Sequence, residues 1–317
     1  MFRLFKTLND NSSVYLEELV MEVAKGIHLI KCPWSTYFVS SCAILGETLT
    51  LIDVGASDSP EKAIYPYLRS IGRDPSEISH IILTHAHFDH CGGAAIIKKE
   101  TDCKVYVHEL GKPYLEDANL INRELHKRFP TLYPEKEKPD FESVKVDATF
   151  KDGDLLNLDG RQIRVLHTPG HSVCSSCLID VEQGVFVSGD SVQGRGGRRP
   201  LLFHSSKKYA ESMRQLLNEH VKILITGHPF PPFNDALLRG KNAAKHICES
   251  LKGIENLKAK VWKALEESDK PLGIEQIYRK VRISQPVTIG CVLEDFEKEG
   301  KVERTEVKGG YLWTLKE

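Results

Sequence analysis

Ile81-Ile82-Leu83-Thr84-His85-Ala86-His87-Phe88-Asp89-His90 is the stretch from which the fold of this chain can be read. Ile81 to Leu83 reads as a buried strand, and the six residues from His85 to His90 then hold three histidines and one aspartate. In α/β proteins, ligand-binding groups gather just beyond the carboxyl ends of strands. A loop leaving a strand can turn His85 and His87 toward one point and Asp89 and His90 toward a second, an arrangement suited to two-metal chemistry. An exposed polar loop is the competing reading, and it does not explain why four metal-competent groups crowd behind an apolar run.

Moving outward, the same device recurs three times. Leu166-His167-Thr168-Pro169-Gly170-His171-Ser172 follows a strand over 162–166, Ser188-Gly189-Asp190 follows one over 185–187, and Thr226-Gly227-His228 follows one over 223–225. Gly170, Gly189 and Gly227 remove side-chain bulk where backbone must approach a metal centre. Between these points strands alternate with helices. Strands are expected from Gly26 to Asp53, then a helix from Ser59 to Ile71 kinked at Pro66, a helix through Ala94 to Ile97, and a strand over 104–108. Residues 112–140 interrupt the alternation with a charged helix over 114–128 and a segment punctuated by Pro130, Pro134 and Pro139, which reads as an insertion or lid. Strands resume at 155, with Asp159-Gly160 as a hairpin turn, and a helix is expected over 236–251. One large domain, 1–252, results. The remainder, 253–317, has three apolar-periodic segments around Leu257, Ile277 and Val292, then two strands flanking Lys308-Gly309-Gly310. That order resembles a winged helix.

The motifs T-H-A-H-F-D-H, T-P-G-H-S, S-G-D and T-G-H, in this order over roughly 20–250, resemble the metallo-β-lactamase superfamily of metal-dependent hydrolases. The resemblance implies an α/β fold of αββα layering, with two mixed sheets back to back and the metal site at one edge. It also implies that His85, His87 and His171 hold one metal, that Asp89, His90 and His228 hold a second, and that Asp190 bridges them. Neutral imidazoles and hard carboxylates suit two divalent ions, zinc first, with iron or manganese accepted by the same ligands. The expected nucleophile is a metal-bridging hydroxide of lowered pKa, with Asp89 as the catalytic group that orients it and takes its proton. Asp53, in L-I-D-V-G, matches a family position that supports the ligands from behind.

A length of 317 residues, with 43 Lys and Arg against 44 Asp and Glu, fits a large and a small globular domain with no global pull toward nucleic acid or an anionic membrane. Eight scattered Cys form no disulfide framework, and no apolar run has transmembrane length; Met1 to Leu19 lacks the apolar region of a signal peptide. A cytoplasmic protein with no membrane partner is expected. Cys174 and Cys177 read as packing residues. The Gly-rich loop after Asp190 carries Arg195, Arg198 and Arg199, and with His204 it is expected at the site mouth, where guanidinium groups would bind an acidic substrate.

The tail from Ile254 to Glu317 is neutral, with twelve residues of each sign, and its third helix carries Glu294, Asp295, Glu297 and Glu299 against Lys298. Phosphate repulsion opposes docking of that helix in a DNA groove, so homodimerisation or walling one side of the cleft is the expected use of the tail. The two-part layout resembles the branch containing β-lactamase-like protein 2, and the ligand motifs are also similar to those of glyoxalase II, whose glutathione-binding helical region has no counterpart here. The expected function is a dinuclear hydrolase of an ester, thioester or lactone of a small acidic molecule. A single-strand-specific endoribonuclease on the same metals is the alternative, and a winged-helix nucleic-acid-binding or regulatory protein is the reading from another class.

Overall fold

A computed structural model describes residues 20–136 and 138–316, so the signal-peptide reading of Met1 to Leu19 lies outside the described residues. Strands β1 (Val20–Ala24), β2 (Ile27–Trp34), β3 (Tyr37–Leu45), β4 (Leu49–Ile52), β5 (Ile78–Leu83), β6 (Lys104–His108) and β7 (Ala148–Phe150) form a seven-stranded sheet in chain order. Its first four strands pair antiparallel, and β4 to β7 pair parallel. The second sheet runs β13-β12-β11-β10-β9-β8, built from β8 (Leu155–Leu158), β9 (Arg161–His167), β10 (Ser176–Asp180), β11 (Val185–Gly189), β12 (Ile223–Thr226) and β13 (Leu237–Arg239).

The period of two along each strand decides what each face meets. On β5, Ile82 points into the inter-sheet core with Ile52, Val165, Leu178, Val187 and Ile225. Its neighbours Ile81 and Leu83 point the other way, onto Leu68, Ala94 and Ile97 of the outer helices α1 (Tyr65–Ser70) and α3 (Ala94–Thr101). Two sheets packed face to face with helices outside give the αββα layering. The short helix α2 (Phe88–Cys91) lies between α1 and α3 in sequence and carries Asp89 and His90. Pro66 sits in the first turn of α1, following a wide π-helical turn at Pro60–Ile64, which is how the chain accommodates the kink.

Several elements differ from the sequence reading. The helix expected over 114–128 is split into α4 (Lys112–Glu116) and α5 (Leu120–Arg128). The segment expected as a helix from Ala236 to Leu251 begins with the edge strand β13, after which one continuous helix, α7 (Lys241–Glu266), runs through position 252. Gly253 does not stop this helix. A Cβ there would meet Arg195 Cβ at 2.9 Å, so the glycine permits the loop carrying Arg195 to lie against the helix.

Helix α6 (Ser206–Leu217) packs with α7 on the outer face of the second sheet. Beyond α7 come α8 (Ile274–Val281), α9 (Pro286–Lys298) and the ribbon β14 (Val302–Val307) and β15 (Gly310–Leu315). Ile277, Ile289, Leu293, Phe296 and Trp313 join Tyr209, Met213, Ile254 and Leu257 in one apolar cluster. Every residue from Val287 to Phe296 is buried. Two acidic residues of α9, Glu294 and Asp295, are buried: Asp295 accepts from Ser206 Oγ at 2.7 Å and from Lys207 N at 2.9 Å, satisfying the first turn of α6. Among the described residues no helix is long and apolar enough to cross a membrane.

Candidate metal centre

Leu83, Gly189 and Thr226 end three strands of two sheets, and the residues just past them meet at one edge of the sandwich. His85, His87 and His171 bring ligand atoms within 4.8 Å of one another, and so do Asp89, His90 and His228. Asp190 lies between the two groups, its Oδ2 3.7 Å from His171 Nε2 and its Oδ1 3.4 Å from His90 Nε2 and 3.7 Å from His228 Nε2. All seven residues expected to hold metal are thus gathered, although 143 positions separate His85 from His228 in the chain.

Most of the rings are fixed through one nitrogen so that the other faces inward. His90 Nδ1 is 2.8 Å from Asp53 Oδ2, His171 Nδ1 is 2.8 Å from Leu201 O, and His228 Nδ1 is 3.0 Å from Phe38 O. Such acceptors hold the N–H on Nδ1 and leave Nε2 with a free lone pair. Asp53 does more than hold His90. It accepts from Thr84 N at 2.8 Å and from Thr84 Oγ1 at 2.7 Å, tying the end of β4 to the start of the histidine loop. Its own backbone has a φ of 54°. Gly227 is required by crowding: a Cβ there would run into the Asp190 carboxylate and the His90 ring.

Burial and charge set the electrostatics. Burial, reinforced by neighbouring histidines, pushes His85 well below its ordinary pKa and His87 down to about 3, so both rings stay neutral. His90 goes the other way, since Asp53 and Asp89 outweigh its burial and raise it. The carboxyl of Asp190 is held far below its ordinary value: its burial is outweighed by His228 and His90. Four buried atoms, His85 Nε2, His87 Nε2, His90 Nε2 and Asp190 Oδ1, have no hydrogen-bond partner among the described residues. Buried polar atoms are normally satisfied. The neutral imidazole lone pairs of His85 and His87, the Asp190 carboxylate, and His90 Nε2, whose proton a cation would displace, are left open at one point as the donor set that a divalent cation satisfies, so the residues fit the metals.

A narrow cavity opens beside His87. Tyr114, Ile121 and Leu125 from α4 and α5 form one wall, and Val173 and Phe203 form another. The Phe203 ring lies 4.9 Å from that of His87. His204 lines the same cavity, and burial with the neighbouring Arg128 lowers its pKa to about 4. The loop arginines lie elsewhere. Arg195 is paired with Glu249 of α7, Arg199 sits 4.8 Å from the Phe230 ring, and Arg198 is exposed; none lines this cavity.

Arg128, on α5, escaped the sequence reading. Its guanidinium bonds Glu294 of α9 at 2.6 Å and donates to the carbonyls of Phe203 and His204, fixing the cavity wall to the insertion and to the C-terminal helices. No local pattern marks it, because its partners stand 75 and 166 positions away. Cys174 and Cys177 are buried free thiols, and burial raises the pKa of both.

The family model described as metallo-beta-lactamase superfamily matches residues 35–228. The chain is 27% identical over 205 residues to a beta-lactamase-like protein 2 homolog of Drosophila melanogaster, covering 61% of this chain and 58% of that one. It is 30% identical over 118 residues to an acyl-coenzyme A thioesterase of Homo sapiens, covering 35% of this chain and 40% of that one. The crystal structure of a metallo-beta-lactamase family protein from Thermus thermophilus superposes with a TM-score of 0.67 at 19% identity, over 93% of this chain and all of that one, and so shares the fold. With the family model spanning more than half of its length and covering six of the seven gathered ligand positions before ending on the seventh, His228, this chain belongs to the metallo-β-lactamase superfamily and is a metal-dependent hydrolase.

Proposed function

We propose that this protein holds two divalent metal ions, zinc first, and hydrolyses a thioester or ester of a small acidic molecule. The observation that carries the reading is the convergence of His85, His87 and His90 nitrogens and an Asp190 oxygen, unpartnered among the described residues, at one edge of the sandwich, where His87 also lines a cavity walled in part by Tyr114, Ile121, Leu125, Val173 and Phe203. His85, His87 and His171 would hold one ion, Asp89, His90 and His228 the other, and Asp190 would lie between them. When bound, such ions act as Lewis acids and lower the pKa of water into the neutral range.

The protein's own groups supply the rest. Asp89 Oδ2 stands 3.2 Å from His228 Nε2, and the Asp89 carboxylate would take a proton from the attacking water. Tyr114, Ile121, Leu125 and Phe203 would enclose an apolar acyl segment and exclude bulk water, and the short distance from the Phe203 ring to His87 would place that segment against the reacting carbon. The human relative described as an acyl-coenzyme A thioesterase favours a thioester within this class. Burial of Val287 to Phe296 weighs against a groove-docking winged helix.

Elemental analysis of the purified full chain, paired with turnover of a panel of thioesters, esters and lactones and a labelled single-stranded RNA, tests the reading. Two metals per chain with thioester or ester turnover is the expected result. RNA cleavage without ester turnover would replace it with the nuclease reading, and failure to take up metal would overturn both.

A further inference from the structure

The cavity beside His87 does not end at the insertion. It shares Tyr114, Glu124, Arg128, Val173 and His204 with a second, larger groove of about 1120 Å³ whose far side is built by α9 and the ribbon. Three glutamates line this groove, and each is engaged. Glu294 pairs with Arg128 at 2.6 Å, Glu297 with Arg304 at 3.2 Å, and Glu124 accepts from the Tyr114 hydroxyl at 2.6 Å. Two cations in the lining have no ion pair among the described residues: Lys127 from the insertion and Lys298 from the end of α9, both exposed. Tyr311 presents a ring in the same groove, with the Arg304 guanidinium 4.8 Å from its centroid.

Resting on the thioester reading above, we propose that this groove binds a phosphate-bearing, nucleotide-like handle of the substrate, so that the C-terminal ribbon and α9 form part of the substrate site. Lys127 and Lys298 would take the phosphates from opposite sides, and Tyr311 would offer a surface for a base to stack on. The acyl end then reaches the apolar cavity at His87 through the residues the two spaces share. A polynucleotide is the less suitable occupant, because a strand needs a continuous basic track and this groove alternates acid with base.

The test compares butyryl-coenzyme A with the butyryl thioester of N-acetylcysteamine, which keeps the reacting bond and lacks the phosphates. In the zinc-loaded full chain, kcat/KM should favour the coenzyme A thioester tenfold or more. Lys127→Ala/Lys298→Ala should reduce that preference at least tenfold, mainly through KM, and Tyr311→Ala should reduce it severalfold. An undiminished preference in the double variant, or a parallel fall for both thioesters, would overturn the proposal. If the unmodified enzyme hydrolyses neither thioester, the substrate reading fails and calorimetric titration with coenzyme A decides the groove. Binding weakened tenfold by the double variant would sustain it, and no binding would end it. Single-stranded RNA held more tightly than coenzyme A and released by the same substitutions would overturn the small-molecule assignment.

Discussion

At His87 one ring nitrogen stands 2.8 Å from His171 Nε2 while the other is buried without a partner among the described residues, so the ring is a ligand candidate with little other structural work. His87→Ala should reduce bound metal measured by elemental analysis and abolish turnover, with the circular dichroism spectrum retained; a fully active variant would contradict the assignment. Asp53 acts one step further out, through His90 Nδ1 and Thr84. Asp53→Ala should weaken metal binding by about 10- to 100-fold, read by competition with a chelator, the cost usual for losing such support. His246 offers a pH test away from the metals. Its ring is fully buried against Phe233, both nitrogens lack partners among the described residues, and burial lowers its pKa to about 4. The unfolded chain would bind a proton near the ordinary value of about 6.5, so stability is present above that pH and is lost as pH falls toward 4. Urea denaturation between pH 6.5 and 4.5 should show a slope steeper by up to about 1.4 kcal/mol per pH unit in the parent than in His246→Leu. Equal slopes would remove His246 from the account.

Among the elements, α5 and α9 depend on each other. Phe129 packs with Val287 and Cys291, and a Cβ at Gly290 would strike the Phe129 ring. Gly290→Ala should therefore lower the urea midpoint by overpacking, equivalent to about 1–3 kcal/mol, despite the better helix propensity of alanine. Arg128→Met leaves the Glu294 carboxylate and two backbone carbonyls without their donor. A loss of about 2–4 kcal/mol is expected, with the thioester KM raised because the Phe203 wall is no longer fixed. No change in either quantity would show that the wall stands without it. Elements with local signals were legible in the sequence. Asp159-Gly160 does turn with positive φ at both residues, and the apolar run at Ile81 does form β5. The division between α4 and α5, and the fusion of two expected helices into α7 across the boundary expected at 252, carried no such signal, and Gly253 in α7 is a contact with the loop at Arg195.

For the whole molecule, the apolar cluster that runs from β9 and β11 through α6 and α7 to Ile289, Phe296 and Trp313 makes the helices and ribbon after residue 267 part of a common core. Calorimetry of the full chain should give a single cooperative transition. Two separated transitions would mean that this contact is weak. Candidate ligand groups were legible in the sequence, because a His or Asp placed just past an apolar strand is a local signal, whereas their sharing between two ions came from the resemblance to the metallo-β-lactamase superfamily. Asp53 was singled out by that same resemblance. Which nitrogen of each histidine faces inward, why Arg195 pairs with Glu249 while Lys127 and Lys298 face a groove, and that Arg128 fixes the wall were decided only by tertiary structure. Those outcomes depend on partners up to 190 positions away, such as Phe38 O for His228, and no pattern within one segment encodes a contact whose other half lies in another sheet.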